Sequence, residues 1–119
     1  MVSNFHKFRS NSKINLGLQV INKRNDGYHN ISSLFVELEF HDILIFSSSP
    51  KFHLDTSNSI LPNDNSNLIC KAYEKLLPYK KKSMMDYKIF LEKNIPIGGG
   101  LGGGSSNAAC TLVALNKLW

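Results

Sequence analysis

The residues best suited to chemistry form a glycine-rich run near the end of the 119-residue sequence. Six of its eight glycines lie between Gly98 and Gly104, directly before Ser105, Ser106 and an apolar helical pattern. Glycines let a ligand approach the backbone N–H groups closely, and the start of a helix adds unsatisfied N–H groups and a positive dipole end. The run therefore predicts an anion site suited to the phosphates of a nucleotide.

Other uses of the glycine run fit less well. A flexible linker consists of Gly and Ser alone, whereas Leu101 stands inside this run and an apolar helix follows it. A P-loop requires Gly-Lys-Ser/Thr, and the run contains no lysine. Gly98, Gly100 and Gly103 satisfy the dinucleotide pattern, but Pro96 interrupts the junction between strand and glycines that this pattern needs. A different class of phosphate loop is indicated.

A predicted strand over residues 13–21 carries two polar side chains next to each other. Its aliphatic residues occupy alternate positions, so Lys13 and Asn15 share the opposite face. The solvated face of an edge strand is the alternative, because lysine is in general a solvent-facing residue. The aliphatic row, which we expect to be buried, is Ile14, Leu16, Leu18 and Val20.

Two further candidate residues follow a turn. Residues 22–27 end in Asp-Gly, which predicts that residues 31–40 form a second strand paired antiparallel with the first. Tyr28 and His29 come directly after this turn. A tyrosine ring can stack on a nucleobase and an imidazole can bond to its edge. His29 by itself also fits a loop histidine without a function.

Alternating patterns predict the remaining strands. A tight link at His41-Asp42 leads to a third strand over residues 43–46, and a short fourth strand covers residues 51–55. A last strand over residues 87–92 leads towards the glycine run. The sheet therefore delivers the chain to the proposed phosphate site.

Two helices are predicted from the 3.6-residue period. The first covers residues 67–77, with Asn65 or Ser66 as its cap, and the second follows the glycine run, with Ser105 or Ser106 as its cap. The expected apolar face of the second helix consists of Ala108, Leu112, Leu115 and Trp119.

Composition limits the classes of function. The net charge of +5 is scattered, with one lysine run at residues 80–82, which disfavours nucleic acid and suits a polyanionic small molecule. No apolar run is long enough to span a bilayer, and no secretory signal is evident, so we expect no membrane partner and a cytoplasmic location. Cys70 and Cys110 lack metal or redox spacing and are expected to be free thiols.

Three signatures together resemble the GHMP kinases. Residues 96–109 resemble the phosphate-binding motif of that family, Pro-x-x-x-Gly-Leu-Gly followed by small and hydroxyl residues. Ser-Lys-Ile-Asn-Leu at residues 12–16 and Arg-Asn-Asp-Gly-Tyr-His at residues 24–29 resemble its methylerythritol branch. This resemblance implies ATP- and Mg²⁺-dependent phosphorylation of the 2-hydroxyl of a cytidine diphosphate-linked methylerythritol, a step of the non-mevalonate isoprenoid route.

The resemblance also implies roles for individual residues. Lys13 is the catalytic residue, and Asn15, Tyr28 and His29 bind the substrate. Residues near bound nucleotide in the family correspond to Asn67 and Lys93, although Ser66 replaces the usual aspartate before Asn67. The resemblance leaves open whether Ser105 or Ser106 contacts the metal. The implied ATP-binding loop consists of Pro96, Ile97, Gly98, Gly99, Gly100, Leu101, Gly102, Gly103, Gly104, Ser105 and Ser106.

The family implies an α+β fold for residues 1–119, with a mostly antiparallel sheet and packed helices. These residues correspond to the N-terminal ATP-binding domain, and the catalytic aspartate of the family lies beyond the glycine-loop helix. We therefore expect an incomplete domain pair with little or no transfer activity, because the general base is missing. A non-catalytic nucleotide-binding module and a basic RNA-binding domain of related fold are the alternatives.

Overall fold

The computed structural model describes residues 5–119, apart from the side chains of residues 17–21 and 29–33. Within that part of the chain, one four-stranded sheet has the order β1-β2-β4-β3. The β1–β2 and β2–β4 pairs are antiparallel, and β3 runs parallel to β4. The α+β prediction is confirmed. The elements are β1 (Phe5–Lys23), β2 (His29–Ser49), β3 (His53–Thr56), α1 (Leu68–Leu76), a 3₁₀ turn (Leu77–Tyr79), β4 (Asp86–Glu92) and α2 (Gly103–Leu118).

The predicted break at His41-Asp42 is wrong. β2 runs without interruption through this pair, because β1 begins at Phe5 and its first residues continue the ladder, with Ser10 opposite Asp42. The fourth predicted strand appears as β3, shifted by two residues at its start. The pairing of β1 with β2 departs from regular register between Asn11 and Lys13, between Leu16 and Gln19 and between Val20 and Asn22.

The hydrophobic core lies between one face of the sheet and the two helices. Alternate residues of β4 are buried, as the period-two pattern predicts. Leu44 and Phe46 of β2 and Ile69 of α1 are fully enclosed. None of the helices in residues 5–119 is long and apolar enough to cross a membrane.

The hairpin arm, residues 13–37, extends away from this core. The predicted burial of its aliphatic row is wrong at Leu16, which is 49% exposed, and Leu34 on the paired strand is also exposed. The reason is that α2 bonds to β1 at Arg9 and Ser10, before the arm begins. Leu18 and Val20 lie outside the described side chains.

Both helix caps differ from the predictions. Asn67 caps α1, because its Oδ1 accepts a hydrogen bond of 2.9 Å from the Ile69 N–H, so neither Asn65 nor Ser66 does so. α2 starts at Gly103 after a left-handed Gly102, which replaces the predicted serine cap.

The buried face of α2 includes Leu115, as predicted, but otherwise differs from the predicted one. Leu112 is exposed, and two polar residues, Asn107 and Thr111, are buried instead. Thr111 is satisfied by donating from Oγ1 to the Asn107 carbonyl at 2.8 Å. Asn107 takes part in the site described next.

Candidate functional site

The glycine loop, residues 96–102, joins the end of the sheet to α2. Gly98, Gly100 and Gly102 have φ values of 73°, 74° and 69°, a left-handed backbone that favours glycine. The Lys13 N–H donates to the Leu101 carbonyl at 2.9 Å, which fastens the loop to β1. The loop therefore has a defined shape, built by residues from opposite ends of the chain.

A cavity of about 380 Å³ opens beside this loop. The loop and the first turn of α2 form one wall, and an apolar wall comes from Leu61, Pro62, Leu68 and Leu91. A concave site with an apolar wall and convergent backbone N–H groups is typical of small-molecule binding. The structure therefore places the predicted phosphate loop on a cavity.

Lys13 and Asn15 lie next to the glycine loop. The Lys13 stem crosses Gly102 so closely that a Cβ built on that glycine would come within 2.8 Å of the Lys13 Cε. The Lys13 Nζ donates to the Asn15 Oδ1 at 2.9 Å and lies 5.4 Å from the centre of the Phe35 ring. Phe35 was not predicted as a site residue, although it faces Asn15 across the β1–β2 ladder.

Lys93 lies beneath the start of α2 and is paired with a buried aspartate. Its Nζ donates to the Asp42 Oδ2 at 2.6 Å, and the two side chains are 5% and 0% exposed. The other carboxylate oxygen of Asp42 accepts hydrogen bonds from the backbone N–H groups of Asn94 at 2.6 Å and Ile95 at 2.7 Å. Asp42 therefore joins β2 to the segment that enters the glycine loop.

Hydrogen bonding decides the charge state of Asp42. Burial alone would raise the pKa of this carboxyl, but the donors Ile95 N–H, Lys93, Asn107 and Asn94 N–H together hold its pKa below the usual value. Asp42 was predicted as part of a tight link, so its role was missed. The available signal was its position in the row of alternate buried residues that continues with Leu44.

A buried polar chain leads from Asp42 to α2 and back to β1. The Asn107 Nδ2 donates to the Asp42 Oδ2 at 3.0 Å and to the Ser10 Oγ at 2.8 Å. The Ser10 Oγ donates in turn to the Ser106 Oγ at 2.9 Å. Ser106 is thus engaged and half-buried, whereas Ser105 is exposed and lines the cavity.

The other predicted residues are less central. Asn67 lines the cavity, but its amide is occupied, since Oδ1 caps α1 and Nδ2 donates to the Pro62 carbonyl at 2.9 Å. Tyr28 lies beside the turn of the hairpin arm and is 72% exposed. The His29 side chain lies outside the described residues. Among the side chains that the structure describes, no three His, Cys, Asp or Glu residues cluster as a metal site.

Comparison with known proteins connects this geometry to a family. Residues 67–119 match the model of the GHMP kinases N terminal domain. The chain is 44% identical over 113 residues to the 4-diphosphocytidyl-2-C-methyl-D-erythritol kinase of Prochlorococcus marinus subsp. pastoris, covering 93% of this chain and 36% of that protein. It is 47% identical over 110 residues to the kinase of the same name from Thermodesulfovibrio yellowstonii, covering 91% and 37%.

Solved structures show the same similarity. A crystal structure of 4-(cytidine 5'-diphospho)-2C-methyl-D-erythritol kinase is 36% identical with a TM-score of 0.80, covering 96% of this chain and 41% of that one. Mevalonate pyrophosphate decarboxylase from Streptococcus pyogenes, 21% identical with a TM-score of 0.68 over 99% of this chain and 38% of that one, shares the fold. The chain spans little more than a third of the length of the curated relatives described above.

Proposed function

We propose that the chain is the ATP-binding part of a small-molecule kinase, from the premise that residues 67–119 match the model of the GHMP kinases N terminal domain. The proposed acceptor is the 2-hydroxyl of 4-diphosphocytidyl-2-C-methyl-D-erythritol, the compound in the names of its relatives. The observation that carries the proposal is the attachment of Lys13 to the glycine loop through the Leu101 carbonyl and the surface of Gly102. Two separate signatures thereby meet at the glycine loop.

The glycine loop is assigned to the ATP phosphates. A Cβ built on Gly98 or Gly100 would meet nothing within 4 Å, so the loop backbone is open to a ligand. The N-terminal end of α2 adds its N–H groups and the positive end of its dipole. The charge of Lys93 is compensated by Asp42, so Lys13 is the side-chain cation that we assign to the transferred phosphoryl group. Lys93 then supports the loop from below.

The apolar wall of the cavity is assigned to the adenine base. Leu61, Pro62 and Leu68 provide a surface on which a flat ring can pack. Asn67 contributes by holding the start of α1 in place, because its amide is already occupied. Mg²⁺ bound with the phosphates would neutralise their charge, and the exposed Ser105 hydroxyl is the one we assign to it, since Ser106 is engaged by Ser10.

The sugar alcohol and the cytosine are assigned to the hairpin arm. Asn15 is held beside the Lys13 amine, where it can orient the acceptor hydroxyl. Tyr28 and His29 are proposed to recognise the base further along the arm. The proton of the acceptor hydroxyl needs a base, and the enclosed, paired Asp42 is unsuited to that task. We therefore assign the task of general base in this cytoplasmic kinase to a carboxylate other than Asp42.

Calorimetric titration with Mg-ATP tests the nucleotide site. We expect one binding site that Gly102→Val abolishes, because the left-handed backbone and the Lys13 stem both exclude a β-branched residue there. Gly27→Val is the matched control, since Gly27 has a φ of 89° with open space and lies far along the chain from the loop. Absence of binding to the wild-type chain, or binding that survives Gly102→Val, would contradict the proposal.

Transfer of a labelled phosphoryl group separates a kinase from a passive nucleotide module. Because the loop amides are expected to dominate binding, Lys13→Met should retain most of the Mg-ATP affinity. It should remove phosphoryl transfer in any preparation in which the wild-type sequence is active. Binding of RNA that weakens steeply with salt and persists in Gly102→Val would favour the basic-domain alternative instead.

A further inference from the structure

We propose that Ser10 is a positioning residue for the anion site, acting through the first turn of α2. Its hydroxyl docks Ser106 onto β1 and so keeps the helix start in register with Lys13, three residues further along the same strand. That this position of the helix start matters for ATP binding rests on the proposed function. Ser10 itself is enclosed, at 1% exposure, and does not line the cavity.

The direction of the buried polar chain is set at Asp42. An ionised carboxylate accepts hydrogen bonds and cannot donate them, so the Asn107 amide must present its NH₂ group to the Asp42 Oδ2. The second hydrogen of that NH₂ group reaches the Ser10 Oγ at 2.8 Å. Ser10 is then an acceptor towards Asn107, and its single hydrogen is given to the Ser106 Oγ. The Asp42 carboxylate thus fixes the orientation of the Asn107 amide, and the Ser10 hydroxyl joins that amide to Ser106.

This chain of hydrogen bonds joins β1 to the start of α2. β1 reaches the loop from one side through the Lys13 N–H and reaches α2 from the other side through Ser10. The two attachment points lie on either side of Gly102 and Gly103, where α2 begins. Removing the Ser10 hydroxyl therefore loosens the first turn of α2, whose N–H groups would face the phosphates, while the loop attachment at Lys13 and the bond from Asn107 to Asp42 stay in place.

Ser12 offers a matched control on the same strand. It is also a fully enclosed serine, and its hydroxyl donates to the Phe40 carbonyl at 2.6 Å. That bond joins β1 to β2 and does not involve α2. Ser10→Ala and Ser12→Ala therefore remove the same chemical group from equally buried positions. They differ in the partners, because Ser10 bonds to Asn107 and Ser106 of the glycine-loop helix and Ser12 bonds to β2.

The first test is Mg-ATP affinity. We expect Ser10→Ala, which removes the hydrogen bonds to both Asn107 and Ser106, to raise the dissociation constant at least about fivefold, and Ser12→Ala to change it less than about twofold. Ser106→Ala should act in the same direction but more weakly, because it breaks only the bond between the two serines, whereas Ser10→Ala also removes the acceptor of Asn107. The effect of the double variant should fall short of the sum of the two single effects, because the serine–serine bond can be lost only once. Equal shifts in Ser10→Ala and Ser12→Ala, or additive effects of the serine pair, would overturn the proposal.

Amide hydrogen exchange gives a reading that does not need nucleotide. Ser10→Ala should speed exchange in residues 103–107 without doing so in β4, whereas Ser12→Ala should leave residues 103–107 unchanged. If the wild-type chain does not bind Mg-ATP, the proposed function fails, but this exchange pattern still decides whether Ser10 docks the helix. Unchanged exchange at residues 103–107 in Ser10→Ala would refute the docking role.

Discussion

Replacing Asp42 by asparagine should destabilise the protein more than any other single change of similar size that we consider. The asparagine Oδ1 can still accept from the Asn94 and Ile95 N–H groups, which lie at 2.6 and 2.7 Å. Its Nδ2 would then face two donors, the Lys93 Nζ at 2.6 Å and the Asn107 Nδ2 at 3.0 Å. The substitution thus replaces an ion pair by donor–donor contacts and leaves a buried ammonium without a counter-charge.

The magnitude follows from burial. Breaking one side of a buried ion pair costs about 3–5 kcal/mol, because the remaining charge is uncompensated, and both side chains here are nearly inaccessible. Lys93→Met should cost less, about 2 kcal/mol, since the Asp42 carboxylate keeps three donors, two backbone N–H groups and Asn107. The double variant should be more stable than Asp42→Asn alone, because the unpaired ammonium is gone.

Urea denaturation followed by circular dichroism measures these differences as changes in the free energy of unfolding. The expected order of stability is wild type, Lys93→Met, the double variant and Asp42→Asn, with Asp42→Asn the least stable. A cost below about 1 kcal/mol for Asp42→Asn, or costs in the double variant that simply add, would refute the view that the pair is a buried, coupled unit.

Three other outcomes are expected. The wild-type protein should lose stability as the pH falls below about 4. The pKa of Asp42 is lower in the folded than in the unfolded chain, so its ionised form stabilises the fold above the unfolded-state pKa, and that contribution disappears on protonation. The Asp42→Asn/Lys93→Met variant should lose less stability, and an equal loss would argue against this assignment. Gly100→Ala should cost about 1–2 kcal/mol in urea denaturation because of its left-handed backbone, and Gly102→Ala should cost more, because its Cβ would also meet the Lys13 stem at 2.8 Å. Gly99→Ala, whose added Cβ would make ordinary contacts of 3.5 Å and beyond, should be nearly neutral. Equal costs at all three positions would contradict the loop conformation. Burial raises the pKa of the Cys110 thiol to about 11. At pH 8 this thiol should therefore react with a disulfide reagent about a hundredfold more slowly in the folded than in the urea-unfolded chain. Equal rates would show that the Cys110 thiol is accessible.

Local patterns were sufficient for the elements around the loop. The glycine run, the strand before it and the helix after it follow from composition and periodicity, which depend on neighbouring residues. The placement of Lys13 beside the loop came from a resemblance between motifs, and the structure shows the contact as a bond to the Leu101 carbonyl. Whether these residues bind ATP and substrate remains a prediction.

Buried polar residues explain most of the errors. Asp42 looked like a break in the strand because a charged residue rarely belongs to a core, and its burial becomes possible when donors from Lys93, Asn94, Ile95 and Asn107 converge on it. The face of α2 was misjudged for the same reason. Such long-range satisfaction is not visible in a local pattern.

The bonds between β1 and α2 join residues 96 and 97 positions apart, Ser10 to Ser106 and Ser10 to Asn107. Contacts of such long sequence separation carry a large loop-closure cost and usually form late in folding. The strands of the hairpin can pair early, but the anion site is not complete until the helix returns to the first strand. A nucleotide that binds this site would therefore bind the finished fold in preference to any partly folded chain, and above its dissociation constant it would stabilise the protein by an amount that grows with the logarithm of its free concentration.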